Sequence, residues 1–172
     1  MKWSKLKQRV EENFAPELAG RVNVRLTRYR RSHDQEQHGR IYIDGEVWFD
    51  ACTFKTAIES LDTAERTTGI ASWGIVHGDY GVEEDVKSRG FLEGYFFPKV
   101  LFSFLNTSID NALKSDEPLM RILAVMDRRV GKRRLDKLLT CCPGNAPERK
   151  FIEMRLPPRQ MATSIDTESV GT

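Results

Sequence analysis

The polar segment 28–38 carries the residue types that could support acid–base or metal chemistry. Its two histidines and two carboxylates are His33, Asp34, Glu36 and His38. Imidazole exchanges a proton near neutral pH, and imidazole combined with carboxylate is a common ligand set for divalent metals. These four residues are therefore candidates for the catalytic site of a metal-dependent hydrolase. No spacing such as HExxH fixes a ligand geometry, so we assign no metal, and a solvated loop with local ion pairs is the alternative interpretation.

Arginine and lysine are concentrated in two segments, which favours binding of a polyanion. Guanidinium and ammonium groups contact phosphate oxygens, and such contacts position a nucleic acid without reading its sequence. The alternative for the second segment is a basic helix end that complements the helix dipole and pairs with nearby acids. The candidate residues are Arg28, Arg30 and Arg31 in the first segment and Arg128, Arg129, Lys132, Arg133 and Arg134 in the second.

The cysteines and the overall composition point to the cytoplasm. The chain has three cysteines, and this odd number, with Cys141 and Cys142 adjacent, suits neither a disulfide framework nor a zinc site. We expect Cys52 to pack as a small apolar residue. The most apolar stretch, residues 91–105, is interrupted by charged residues and a proline, so no membrane partner is expected. The net charge of +2 over 172 residues does not by itself indicate a nucleic-acid-binding protein.

The elements that must position these residues begin with a hairpin. Asp44-Gly45 stands between two β-prone runs, which is the strongest short hairpin signal. A preceding run at 21–27 alternates apolar and polar residues, so we predict a short antiparallel sheet at about 21–49. Both faces of the hairpin are expected to carry large apolar groups, so that the sheet is covered on both sides or meets a partner. One face would hold Ile41, Ile43 and Trp48, and the other Tyr42, Val47 and Phe49.

Helices are predicted both before and after this sheet along the chain. Apolar residues recur at helical spacing from Trp3 and again from Phe54, and residues 115–118 combine a cap, two acids and an early proline. For the helix from Phe54, Thr53 is a plausible N-cap and Gly69 lies just past its end, the position that favours a left-handed glycine. The helical phase breaks at Gly131, where we expect either a sharp kink or a helix end with glycine in a left-handed position.

Two further segments lie between these helices. The glycine-rich residues 69–90 predict a long irregular loop with a short helix at 82–88. The aromatic residues of 91–105 are predicted to belong to the core, with Pro98 opening a helix.

Three segments resemble those of a small family of uncharacterised bacterial proteins. They are the opening MKWSKLK, the run TRYRRSHD at 27–34 and the run DRRVGKRRL at 127–135. The resemblance implies a cytosolic single-domain protein of bacteria or their mobile elements. It implies no reaction, and it does not extend beyond residue 156.

The sequence thus predicts one α+β domain over residues 1–156, with the short sheet packed against several helices. A disordered tail is expected at 157–172, where few residues could be buried. The favoured function is binding of nucleic acid or another polyanion. The alternatives are a protein-interaction module in a toxin or defence context, and the hydrolase described above. The sequence leaves open the cofactor, the oligomeric state and whether the protein is an enzyme.

Overall fold

The computed structural model describes residues 1–29 and 36–156, and the predicted α+β class is confirmed there. The strands are β1 (Val22–Arg28), β2 (Gln37–Ile43) and β3 (Glu46–Cys52). The helices are α1 (Trp3–Glu11), α2 (Thr53–Thr68), α3 (Trp73–Val76), α4 (Val82–Ser88), α5 (Phe97–Leu105), α6 (Ile109–Leu113), α7 (Pro118–Met126), α8 (Lys132–Cys141) and α9 (Arg149–Arg155), with a 3-10 helix at Pro16–Leu18. The predicted tail lies outside these described residues. No described helix is both long and apolar enough to cross a membrane.

The sheet is an antiparallel meander in the order β1-β2-β3. The predicted hairpin is confirmed, because Asp44 and Gly45 both adopt positive φ, at 52° and 88°, and connect β2 to β3. Two residues with positive φ are what a type I′ turn requires, and Asp-Gly supplies them at low cost. The sheet extends three residues beyond the predicted limit, to Cys52.

A β-bulge next to this turn changes which residues share a face. Ile43 pairs with Glu46 and Tyr42 with Val47, but the register then shifts so that Ile41 pairs with Phe49. The bulge therefore places Phe49 with Ile41 in the core, where its exposure is 7%. The predicted second apolar face, Tyr42, Val47 and Phe49, is wrong for this reason.

The inner face of the sheet packs on helix α5 through a glycine. Phe97 is completely buried, and a Cβ placed on Gly39 would lie only 2.0 Å from its Cγ. Gly39 is therefore the residue that allows the aromatic ring to contact the backbone of the central strand. The predicted core role of 91–105 is confirmed for Phe97, Leu101 and Phe104 but not for the half-exposed Tyr95, Phe96 and Phe102.

The junction between α7 and α8 is held by two buried charged side chains. Asp127 has no exposed surface, and its carboxylate accepts hydrogen bonds from the backbone and guanidinium of Arg129. Arg155 is 5% exposed and donates to the backbone oxygens of Val125 and Asp127, at 2.6 and 3.1 Å. Arg155 also pairs with Glu17, so the network joins the start of the chain to α7 and α9. Removing one partner of such a network leaves a buried charge without compensation.

Two glycine predictions have different outcomes. Gly69 ends α2 in the left-handed conformation that the sequence indicates, with φ at 77°. The helix break near Gly131 is confirmed, but its predicted left-handed conformation is wrong, because φ is −74° and Gly131 precedes α8 as its N-cap. Residues 69–90 also contain more structure than predicted, since α3 precedes the expected helix at 82–88.

We predict that Gly39→Ala destabilises the protein by roughly 1–3 kcal/mol, because the new methyl group overlaps the buried ring of Phe97. Gly144→Ala is the matched control, since Gly144 is an exposed turn residue without left-handed φ and nothing lies within 4 Å of the added atom. Its effect should stay within about 0.5 kcal/mol. Thermal and denaturant unfolding of both variants measure the difference, and equal effects would contradict the packing described here.

Candidate functional site

The outer face of the sheet displays polar groups in register. His38 pairs with Cys52 and Arg40 with Asp50, so these four side chains project from the same side of β2 and β3. The intervening Gly39 faces the helices instead. Because side chains alternate along a strand, the packing of the inner face determines that this polar set lies outside the core.

Glu36, His38 and Cys52 form the tightest group on this face, which we call the Cys–His–Glu cluster. The Oε1 atom of Glu36 lies 2.9 Å from Nε2 of His38. The Sγ atom of Cys52 lies 3.3 Å from that oxygen and 3.5 Å from the same ring nitrogen. The side chains of His38 and Glu36 are 14% and 27% exposed, and Cys52 is buried, so the cluster is shielded but accessible from one side.

Arg40 and Asp50 complete the surroundings of the imidazole. Arg40 Nη2 lies 2.9 Å from Nδ1 of His38, while its Nε donates to Oδ1 of Asp50 at 2.9 Å. A guanidinium can only donate hydrogen bonds, so Nδ1 of His38 must accept this one. The imidazole is therefore neutral, with its proton on Nε2, and that proton is donated to Glu36.

Burial raises the pKa of the Cys52 thiol, and the neighbouring Glu36 carboxylate raises it further, although the backbone N–H of Lys55 acts in the opposite direction. The thiol is therefore protonated at neutral pH and donates to Glu36. Since His38 already holds a proton on the nitrogen that faces the sulfur, it cannot also accept the thiol proton. The resting arrangement is thus not that of a Cys–His nucleophile pair.

The structure unites only part of the site predicted from the histidine loop. Glu36 and His38 lie together, whereas His33 and Asp34 are outside the described residues. Cys52 was expected to pack as an apolar residue, and it is buried, but its sulfur contacts two polar groups.

Cys52 was missed because its position depends on the bulge. If the register of the pair Ile43 and Glu46 continued along the hairpin without the bulge, Ala51 rather than Cys52 would lie opposite His38. Cys52 also occupies the N-cap of α2, where Thr53 was the plausible candidate, and its sulfur accepts from the backbone N–H of Lys55 at 3.4 Å.

The second basic segment is only partly neutralised by acids. Arg129 pairs with Asp127 at 2.8 Å, and Arg134 pairs with Asp110 at 2.5 Å. The remaining three candidates are exposed and form no ion pair among the described residues; we call them the α8 basic cluster, and they are Arg128, Lys132 and Arg133.

The helix-dipole part of the alternative is wrong for the three candidate basic residues of α8 but not for Arg128 and Arg129, which follow the C-terminus of α7. Lys132, Arg133 and Arg134 form the first turn of α8, which contains no acidic residue. The N-terminus is the positive end of a helix, so cations there are unfavourable rather than complementary.

No direct polar contact joins the first basic segment to the second among the described residues. Arg28 is exposed at the end of β1, and Arg30 and Arg31 lie outside the described residues. Strand β1 pairs with β2 and packs on α1, whereas α8 packs on α9. No hydrogen bond or ion pair between described residues links Arg28 to the α8 basic cluster.

An aromatic groove lies on another side of the molecule. Trp73, Tyr95 and Phe96 are 47%, 42% and 40% exposed and line a groove of about 480 Å³ beside α2 and α4. The outward surface predicted at Tyr42, Val47 and Phe49 lacks one of its members, because Phe49 is buried, whereas Val47 is 49% exposed.

Comparisons with known proteins identify a family but no reaction. The search of curated proteins and the search of solved structures returned no match. A family model, described as the SF0329 protein family, matches residues 2–156, which contain the three segments that carry the resemblance seen in the sequence, apart from Met1. This match covers nearly the whole chain, and the chain belongs to the SF0329 protein family.

Proposed function

We propose that the protein binds a polyanion, with a nucleic-acid backbone as its main ligand class, through the α8 basic cluster. The observation that supports this function is the arrangement of Arg128, Lys132 and Arg133, which are exposed and form no ion pair within 4.0 Å among the described residues, although Lys132 interacts at longer range with Glu17. Such charges contact phosphate oxygens without regard to base sequence.

By itself, this arrangement of like charges does not stabilise the folded protein. Neighbouring cations repel one another, and the partial positive charge at the start of α8 adds to the repulsion. A phosphate chain would compensate both effects, and the backbone N–H groups of Lys132 and Arg133, which have no acceptor within α8, would provide further donors. Arg129 and Arg134 are different, since their guanidinium groups are already held by Asp127 and Asp110.

A cytoplasmic location is part of this proposal. Cys52, Cys141 and Cys142 are all free thiols, and free thiols persist in reducing compartments. The nucleic acid of the cytoplasm is therefore the ligand pool that we consider.

Replacing Arg128, Lys132 and Arg133 together with Gln should weaken binding to labelled single-stranded and duplex DNA and RNA alike. For the native protein the logarithm of affinity should fall with the logarithm of salt concentration by about 0.7–0.9 per phosphate contact. The triple variant should flatten this slope by about 2–3, because up to three contacts are lost. Fluorescence anisotropy at low and physiological salt measures both quantities.

The matched control is the triple variant Lys2→Gln, Lys5→Gln and Arg9→Gln. It removes the same charge from exposed positions in and just before α1. If the two triple variants lose affinity equally, net charge and not the α8 basic cluster is responsible. Absence of binding by the native protein at low salt would end the proposal, because electrostatic attraction is strongest there.

The aromatic groove supports a second candidate function, docking of a protein partner. Exposed Trp and Tyr side chains beside a groove are typical anchors of protein interfaces, and binding through them depends little on salt. We expect a partner that co-purifies with the native chain to be lost from Trp73→Ala with Phe96→Ala. The same double variant should bind nucleic acid normally, whereas a loss of both activities would indicate damage to the fold.

A further inference from the structure

We infer that Glu36, His38 and Cys52 bind a zinc-type divalent metal ion, with a fourth coordination position open to water. The three residues offer an oxygen, a nitrogen and a sulfur atom that all lie within 4.8 Å of one another. Carboxylate, imidazole and thiolate are the three ligand types that zinc uses in proteins. Three protein ligands with an open fourth position are typical of reactive rather than purely structural zinc sites.

The spacing of the ligand atoms agrees with a tetrahedral ion. Metal–ligand bonds of about 2.3 Å to sulfur and about 2.0–2.1 Å to nitrogen and oxygen imply ligand–ligand separations of about 3.4–3.6 Å. The observed separations are 3.5 Å for sulfur to nitrogen, 3.3 Å for sulfur to oxygen and 2.9 Å for nitrogen to oxygen. Opening the cluster by a few tenths of an ångström would therefore admit the ion, with changes of side-chain rotamer alone.

The strands hold these ligands in place before any ion arrives. His38 and Cys52 are directly paired residues of β2 and β3, and Cys52 is fixed a second time as the N-cap of α2. Glu36 is one residue before β2. A site built on paired strands needs little ordering when it binds, which favours affinity.

Binding exchanges protons for the ion in a balanced way. The Cys52 thiol loses its proton to water and becomes a thiolate ligand, while the imidazole proton moves from Nε2 to Nδ1 so that Nε2 can coordinate. The thiolate and the Glu36 carboxylate then carry two negative charges against the two positive charges of the ion. One proton is released for each ion bound.

Arg40 opposes this exchange and Asp50 favours it. If Nδ1 of His38 carried a proton, two hydrogen-bond donors would face each other at the 2.9 Å contact between Nδ1 and the guanidinium of Arg40. That contact would be repulsive. The Oδ1 atom of Asp50 is 3.8 Å from Nδ1 and can accept that proton once Arg40 turns aside. This would create the carboxylate–histidine–metal arrangement that orients many metal-binding imidazoles.

The test uses the full-length, chelator-treated protein and Co²⁺, which substitutes for Zn²⁺ and reports its ligands by absorption. We expect one Co²⁺ per chain, a thiolate-to-cobalt charge-transfer band, tetrahedral d–d bands, and displacement of all three signals by Zn²⁺. Cys52→Ser should abolish the charge-transfer band, and Glu36→Gln and His38→Asn should each lower affinity at least 10-fold. Cys142→Ser and His77→Asn are the matched controls and should behave as the native chain.

Arg40→Met keeps the inference testable if the ligand variants fold poorly. It removes the donor that faces Nδ1 of His38, so Co²⁺ should bind more tightly than to the native protein, whereas Asp50→Asn should bind it about 10–100-fold more weakly. Unfolding temperatures measured without metal identify any misfolded variant.

The absence of a charge-transfer band in the native protein, or its persistence in Cys52→Ser, would overturn the site. An affinity of Arg40→Met at or below the native value would overturn the proton exchange at His38. None of these measurements involves nucleic acid, so they are independent of the proposed polyanion binding.

Discussion

The contact between Phe97 and Gly39 is the constraint on which the rest of the sheet depends. A fully buried aromatic ring lies against the backbone of the central strand, and only a residue without a Cβ leaves room for it. This contact fixes which side of β2 faces the helices. Since side chains alternate along a strand, the neighbours His38 and Arg40 must then project from the opposite side. The hydrophobic core thus determines, through one glycine, where the chemically active side chains lie.

The bulge near the Asp44-Gly45 turn adds the second constraint. It advances the pairing of β2 and β3 by one residue, which buries Phe49 and brings Cys52 rather than Ala51 opposite His38. Cys52 is also where β3 ends and α2 begins, so its thiol is held by two elements. Position within a rigid framework is what separates a preorganised ligand set from polar residues that meet by chance. The same polar set shows why charge alone is a poor guide, because Arg40 is engaged by both Asp50 and His38.

The basic residues around the junction of α7 and α8 divide into two groups: those that hold the fold together through ion pairs or hydrogen bonds, and those that form no ion pair among the described residues. Arg155 is nearly buried and donates to carbonyl oxygens at the end of α7, and Arg129 is fixed by the buried Asp127. These residues hold the chain together at the junction of α7, α8 and α9. Arg128, Lys132 and Arg133 form no ion pair within 4.0 Å in the described chain. Lys132 and Arg133 lie in the first turn of α8, where a cation is least favourable. A small net charge of +2 therefore conceals a local excess of positive charge at the start of α8.

The sequence by itself determined the features that depend on neighbours along the chain. The Asp44-Gly45 hairpin, the start of α7 after residues 115–117, the left-handed end of α2 at Gly69 and the α+β class all follow from local turn chemistry, capping and hydrophobic periodicity. The helix break before α8 could likewise be predicted from local sequence. The conformation of Gly131 could not, because it depends on whether Gly131 ends the helix before it or begins α8.

Only the tertiary structure decided the composition of the candidate site. Glu36 and His38 were recognisable by type, but Cys52 joins them through a bulge that exists because Phe49 is more stable in the core than in solvent. The free or paired state of each arginine likewise depends on acids far away in the sequence, such as Asp110 for Arg134 and Glu17 for Arg155. Packing energy is a property of residues that meet across the fold, and a linear pattern does not contain those contacts.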